Sequence, residues 1–154
     1  ITNMHFNLLP EYRGQYPTVY AIFEGKNETG VTLHWINDQA DLGDIILQER
    51  IEISNSETGY ALFLKCLDKA TYIFERQISF YNNHSWPVSK VQDINKSTCS
   101  PVRKNLPNNG QINWNWEGKK IRNFIRAMSF PPHIIAEFSI GDTRFEIRHK
   151  NEHT

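Results

Sequence analysis

The sequence predicts an α/β protein: strands with flanking helices, followed by a small C-terminal helix and β-hairpin. Three observations predict it. The run Val31-Thr-Leu-His-Trp-Ile36 alternates and is rich in β-formers. Phe63, Leu67, Ala70 and Phe74 recur at spacings of four and three, the period of one helix face. Two apolar runs, Ile134 to Ile140 and Thr143 to Ile147, enclose Gly141-Asp142, a short turn between two strands.

In chain order, residues 1–6 read as the end of a strand. Leu8 to Tyr16 form a loop punctuated by Pro10 and Gly14, and Thr18 to Phe23 a short helix after Pro17 that Gly25 stops. Val31 to Ile36 is a strand, Asn37 to Gly43 a polar loop, and Asp44 to Ile53 a second strand pairing with the first through that loop. Ser56 caps a helix running to about Ile78 with the Phe63, Leu67, Ala70, Phe74 face inward. Residues 82–109 carry Pro87, Pro101 and Pro107 among Asn, Ser and Lys without periodicity and read as an irregular connector. A third helix presents Ile121, Phe124, Ile125 and Met128, then Phe130-Pro131-Pro132 leads to the hairpin. Trp114 and Trp116 read as packing anchors, and Arg126 ties its helix either to the core or to the hairpin. Three units result: 1–82, a connector at 83–109, and a helix-hairpin extension at 110–154.

Composition excludes several classes. The chain has 154 residues, 39% hydrophobic, enough for one ordinary core. With 17 basic and 17 acidic residues and no like-charge block, it carries no electrostatic footprint for nucleic acid or an anionic membrane. No run of about eighteen apolar residues marks a membrane span, and no signal segment opens the chain. Cys66 and Cys99 lack metal-ligand spacing. A disulfide is open to them, and free thiols in a reducing cytoplasm are the simpler reading.

The chemistry sits at the start. Asn3 and His5 lie two apart in an extended segment and so project from one face. An Asn amide donates to a developing oxyanion, and an imidazole takes or gives a proton near neutral pH. A distant carboxylate on the imidazole would complete an acyl-transfer site.

The surrounding text is Asn3-x-His5-x-x-Leu8-Leu9-Pro10-x-Tyr12-Arg13-Gly14, then Thr29-Gly30-Val31-Thr32-Leu33-His34 and Asp41-x-Gly43-x-Ile45-Ile46-x-Gln48. It closely resembles the folate-dependent formyltransferases. A second block, Ile112-Asn113-Trp114 with Ile121-Arg122-Asn123-Phe124-Ile125-Arg126-Ala127 and Phe130-Pro131-Pro132, resembles the carboxy-terminal part of methionyl-tRNA and sugar N-formyltransferases, and most the latter.

That resemblance implies a Rossmann-like core, a parallel or mixed sheet with flanking helices, of which 1–82 is the C-terminal part, with another half ahead of Asn3, so that these residues alone are catalytically incomplete. It implies catalytic roles for Asn3, His5 and Asp41, with Asp41 orienting His5 and favouring its charged form. The loop Trp35, Ile36, Asn37, Asp38 and Gln39 would meet the folate. Beside that resemblance, Tyr12, Arg13, Gly14 and His34 read as substrate contacts: Arg13 either holds the substrate's phosphates or is a solvated surface residue, and His34 either contacts substrate or is a structural residue of its strand. The implied reaction moves a formyl group from N10-formyltetrahydrofolate to the amine of a nucleotide-linked deoxyamino sugar, without a metal, in a cytoplasmic homodimer joined by the hairpin. Alternatives within the resemblance are a methionyl-tRNA formyltransferase, a formyltetrahydrofolate hydrolase and a non-catalytic dimerisation fragment.

Overall fold

The structure, a computed structural model, describes residues 1–83, 85, 87–97 and 105–147. The elements are β1 (Thr2–His5), α1 (Pro17–Phe23), β2 (Glu28–Trp35), β3 (Ile45–Glu52), α2 (Gly59–Asn82), α3 (Gly118–Met128), β4 (Ala136–Ile140) and β5 (Thr143–Ile147), with two 3₁₀ turns between α2 and α3. The α/β class holds. β1, β2 and β3 form a three-stranded sheet in that order, and β4 and β5 a separate hairpin. All these pairings are antiparallel. Among the described residues no strand pairs with the second edge of β1.

Local chemistry sets the boundaries. Pro17, which needs no N–H partner, opens α1. At the other end Gly25 takes φ 72°, its N–H bonds to the Ile22 carbonyl, and the Lys26 N–H reaches back to Ala21, a Schellman ending that favours glycine. Thr58, not Ser56, caps α2: its hydroxyl accepts from the Ala61 N–H at 3.2 Å. The hairpin turns at Gly141, φ 57°, and Phe138 stacks on Phe145 across it at 5.0 Å.

One core runs from Val19 to Ala136, through Ile22, Val31, Leu62, Ile73, Phe124 and Met128. Burying each such large side chain contributes about 1.5–3 kcal/mol. The inner face of α2 corrects the sequence reading: Leu62, Cys66, Ala70 and Ile73 are buried, while Leu67 is 45% and Phe74 51% exposed. Both sets keep helical period and share Ala70, because α2 has apolar residues on two adjoining faces, with Tyr60, Leu64 and Ile78 continuing the outer one. Phe63 lies between them, against Phe6 at 5.4 Å and Phe130 at 5.1 Å. Cys66 is a free thiol that burial, with the charge of Glu57, pushes up to about 12. Cys99 lies outside the described residues.

α3 packs on α1 through a ring cluster of Phe23, Trp116 and Phe124, so Trp116 is a packing anchor. Trp114 meets Phe138 edge-on at 5.4 Å. Arg126 ties α3 to the segment between β3 and α2: Nη1 donates to the Ser54 and Glu57 carbonyls, both at 3.1 Å, and Nε to Asn123. No described helix is long and apolar enough to cross a membrane.

Candidate active site

The β1–β2 register places Asn3 directly opposite His34 and His5 opposite Thr32. Cross-strand partners share a face, as do residues two apart, so one face carries Asn3, His5 and His34. Asp41 arrives from the loop between β2 and β3 in a left-handed conformation, φ 52°, which an Asp tolerates better than most residues. The loop turns tightly there because Gly43 lies against the Trp35 carbonyl, where a Cβ would approach its oxygen to 1.7 Å.

The three residues converge. His5 Nδ1 lies 3.6 Å from Asp41 Oδ2, and His34 Nε2 3.6 Å from Asp41 Oδ1. Asn3 Nδ2 donates to Asp41 Oδ1 at 3.4 Å and lies 3.2 Å from His34 Nε2. Gly14 N–H donates to Asp41 Oδ2 at 2.8 Å. Proton positions follow from the fixed acceptors. His5 Nε2 faces the Tyr12 carbonyl at 2.9 Å and must donate to it, so in the neutral ring Nδ1, the atom facing Asp41, is free to take a proton. His34 Nδ1 donates to the Trp35 carbonyl at 2.8 Å, leaving Nε2 to accept from Asn3. Both N–H bonds of Asn3 are thereby engaged.

Two pKa values are displaced. Burial pushes the Asp41 carboxyl up, but His34 beside it, His5 and the Gly14 N–H outweigh this and hold it at about 2. His5 lies below its ordinary value because burial, with His34, outweighs the pull of Asp41 and the Tyr12 carbonyl. Asp41 favours the charged form of His5, but at 5% exposure desolvation of the charged ring is the larger effect, so His5 lies below its ordinary value. Both shifts favour the deprotonated form in the fold. The Asp41 contribution, about 2 kcal/mol, is present above its unfolded pKa and is lost as pH falls through the folded value. The neutral His5 likewise costs the fold stability as pH falls below the ordinary histidine value.

His5 also lines an open pocket of about 550 Å³ with Gln15, Tyr16, Phe63, Phe130 and Ile134. Asn3 and Asp41 are outside that lining. A larger groove, about 1510 Å³, runs between the loop at 7–11, β3 and residues 90–96, and touches none of Asn3, His5, His34 or Asp41. Of the cations that line it, Lys26, Arg50, Lys65 and Lys96 are paired with Glu11, Glu28, Glu57 and Asp93. The pocket beside His5 is the one next to the chemistry.

The remaining expected residues fall into two groups. Tyr12 and His34 are buried, Tyr12 with its hydroxyl on Glu24 and His34 at 2% exposure inside the cluster. Gly14 binds Asp41, and Arg13, also buried, donates through Nε to the Ala40 carbonyl at 3.2 Å. These four stand around the carboxylate loop. In the loop at 35–39, Trp35 is half-buried and Ile36, Asn37, Asp38 and Gln39 are exposed, with the Asn37 side chain accepting from the Gln39 N–H. Sequence reasoning missed Gln92, which donates to the Asp41 and Gly43 carbonyls. A single Gln in an aperiodic stretch carries no signal.

An amide, an imidazole and a carboxylate are thus gathered at one strand and a nearby loop of an α/β domain. The chain belongs to the formyl transferase family, whose model matches residues 1–78. It is 33% identical over 130 residues to the GDP-perosamine N-formyltransferase of Brucella melitensis, covering 84% of this chain and 48% of that protein. It is 36% identical over 132 residues to the methionyl-tRNA formyltransferase of Caldicellulosiruptor saccharolyticus, covering 86% and 41%. The Helicobacter canadensis N-formyltransferase, solved with folinic acid and dTDP-3-aminofucose, superposes with a TM-score of 0.70 at 29% identity, covering 84% of this chain and 48% of that one. The chain thus spans about half the length of the relatives it matches. Among the described residues no group of His, Cys, Asp and Glu could hold a metal ion.

Proposed function

We propose that this chain is part of an enzyme that moves a formyl group from N10-formyltetrahydrofolate to the amine of a nucleotide-linked deoxyamino sugar. The observation that carries the reading is the convergence of Asn3 and His5 on Asp41. The donor supplies an activated formyl group. As the amine bonds to the formyl carbon, neutral His5 takes the amine proton at Nδ1, where Asp41 stabilises the resulting imidazolium, and the same proton passes to N10 as the carbon–N10 bond breaks and tetrahydrofolate leaves. Asn3 serves the oxyanion by turning out one of the two N–H bonds that His34 and Asp41 hold in the free chain. The backbone at 35–39 is our candidate for folate contact, and Arg13 for the substrate phosphates. We propose further a division at 1–82, 83–109 and 110–154, and a cytoplasmic role in glycan synthesis, on the resemblance of the two sequence blocks to sugar N-formyltransferases.

β1, which carries Asn3 and His5, has an open edge among the described residues. A strand paired on one side only holds its side chains less firmly, so we expect the 154-residue chain to be nearly inactive and the full-length protein active. The assay is formyl transfer to a panel of nucleotide-linked amino sugars, with methionyl-tRNA as a parallel arm because a methionyl-tRNA formyltransferase is also among the relatives. Turnover of tRNA alone would give that second reading the case. Robust activity of the isolated chain would show that no further strand is needed.

The homodimer is a further part of the proposal. Ile140 is 67% and Phe145 41% exposed on the hairpin, while Ile134, Phe138 and Ile147 pack toward the core. Exposed apolar residues on a two-stranded ribbon favour burial against a second copy. Sedimentation of the full-length protein should show a dimer that becomes a monomer on truncation after Pro132; an unchanged dimer would place the interface elsewhere.

A further inference from the structure

Residues 89–92, which lack any sequence periodicity, are bound to the loop that carries Asp41. Lys90 exchanges both backbone hydrogen bonds with Ile45, at 2.7 and 2.8 Å, an isolated antiparallel bridge at the start of β3. Ser89 Oγ donates to Asp44 Oδ2 at 3.5 Å. Two residues on, the Gln92 side chain turns inward, 8% exposed, and uses its amide nitrogen twice: Nε2 donates to the Asp41 carbonyl at 3.0 Å and to the Gly43 carbonyl at 2.7 Å.

Those carbonyls have no partner in a helix or strand, since the loop turns with Asp41 at φ 52° between β2 and β3. Left-handed backbone at a residue other than glycine persists where its surroundings hold it. Within the loop the Leu42 N–H reaches the Gln39 carbonyl at 3.4 Å, and Asn3 Nδ2 donates to the Asp41 carboxylate. Arg13 Nε takes the Ala40 carbonyl, the Gly14 N–H takes the carboxylate, and Gln92 takes the two carbonyls flanking Leu42. Fixing the peptide on either side fixes the Asp41 Cα and the direction in which its side chain leaves.

We propose that Gln92 is a positioning residue for Asp41: its carboxamide locks the backbone at 41–43 so that the carboxylate stays against His5. This rests on the reading of Asn3, His5 and Asp41 as the reaction site. A primary amide suits the task because one nitrogen offers two donors in a plane, matching two carbonyls. Leu is close in size but donates nothing, and Glu keeps the shape while facing the same carbonyls with acceptors.

The test uses Gln92→Leu and Gln92→Glu in the full-length enzyme. Both should fold and lower kcat about 10- to 100-fold, the effect of a small misplacement at a reacting centre, with KM for donor and acceptor within about twofold of wild type. A second readout needs no turnover: the NMR titration of the His5 ring in wild type and Gln92→Leu. The groups facing His5 are Asp41 from the loop, His34 from β2 and the Tyr12 carbonyl. Of these Asp41 raises the His5 pKa and His34 lowers it, so release of Asp41 should move the titration to lower pH. An unmoved His5 titration, a rise in KM in place of a fall in kcat, or failure of both variants to fold would each overturn the proposal. If wild type itself transfers no formyl group, the reading of the site fails, and the His5 titration still decides whether Gln92 holds Asp41.

Discussion

Replacing His5 with Asn, or Asp41 with Asn, is expected to lower turnover of the full-length enzyme by about a hundredfold or more, the scale of a lost proton-transfer group. Nucleotide-sugar binding should be nearly unchanged, because both groups act on charge that exists only during reaction. His5 is buried, with Nε2 committed to the Tyr12 carbonyl, so its one reactive atom is Nδ1 against Asp41. Asn in its place offers no base. Asn at 41 keeps the shape and can accept from Gly14, but it withdraws the negative charge that a His5 imidazolium needs.

The pH behaviour has a defined sign. Because His5 lies below its ordinary value, kcat/KM should rise through a pKa on the acid side of that value and be flat by neutral pH. Asp41→Asn should also remove a contribution to stability. In wild type the carboxyl held at about 2 makes the fold lose stability as pH falls from about 4 toward 2, whereas the variant should be nearly level there and less stable at neutral pH by up to about 2 kcal/mol. Equal losses of binding and turnover, with the acid limb unchanged, would assign both residues to structure alone.

Parts of this site were legible in the sequence and parts were not, for definable reasons. The shared face of Asn3 and His5 follows from strand period alone, and the pairing of β2 with β3 around the Asp41 loop from two extended runs with a polar gap between them. The place of His34 does not follow. It stands opposite Asn3 only because of the β1–β2 register, across a span of loop and helix that no local pattern measures, so a residue read as a substrate contact lies inside the cluster. The inner face of α2 was misplaced by one residue because α2 has two apolar faces, and only the sheet beneath selects Leu62, Cys66 and Ile73 over Leu67 and Phe74. Gln92 was invisible for a different reason. Its hydrogen bonds go to carbonyl oxygens, which every residue has, so nothing in the residue types at 41 and 43 announces a partner about fifty residues away.

The second large expected effect is structural. Gly43→Ala should destabilise the fold by about 2–4 kcal/mol, a severe overpacking against backbone, and shift Tm down by roughly 5–15 °C for a chain of this size. The reason is a close approach: the added Cβ would lie 1.7 Å from the Trp35 carbonyl oxygen and 2.6 Å from its carbon. Neither atom is the end of a flexible side chain. Trp35 is held from both sides, its N–H on the Asp44 carbonyl and its carbonyl on His34 Nδ1. Relief by moving Trp35 therefore breaks the His34 contact, and relief by moving the loop breaks the grip of Gln92 on the Gly43 carbonyl. Either movement carries Asp41 away from His5, so activity should fall by more than the lost stability accounts for, even in the fraction that remains folded. Gly118→Ala supplies the control. It lies at the first turn of α3, where an added Cβ would meet nothing within 4 Å, and there alanine should leave Tm level or raise it slightly. A Gly43→Ala protein that melts with wild type would mean that the loop accommodates a Cβ without moving Trp35, and that the tight turn is not what sets Asp41 in place.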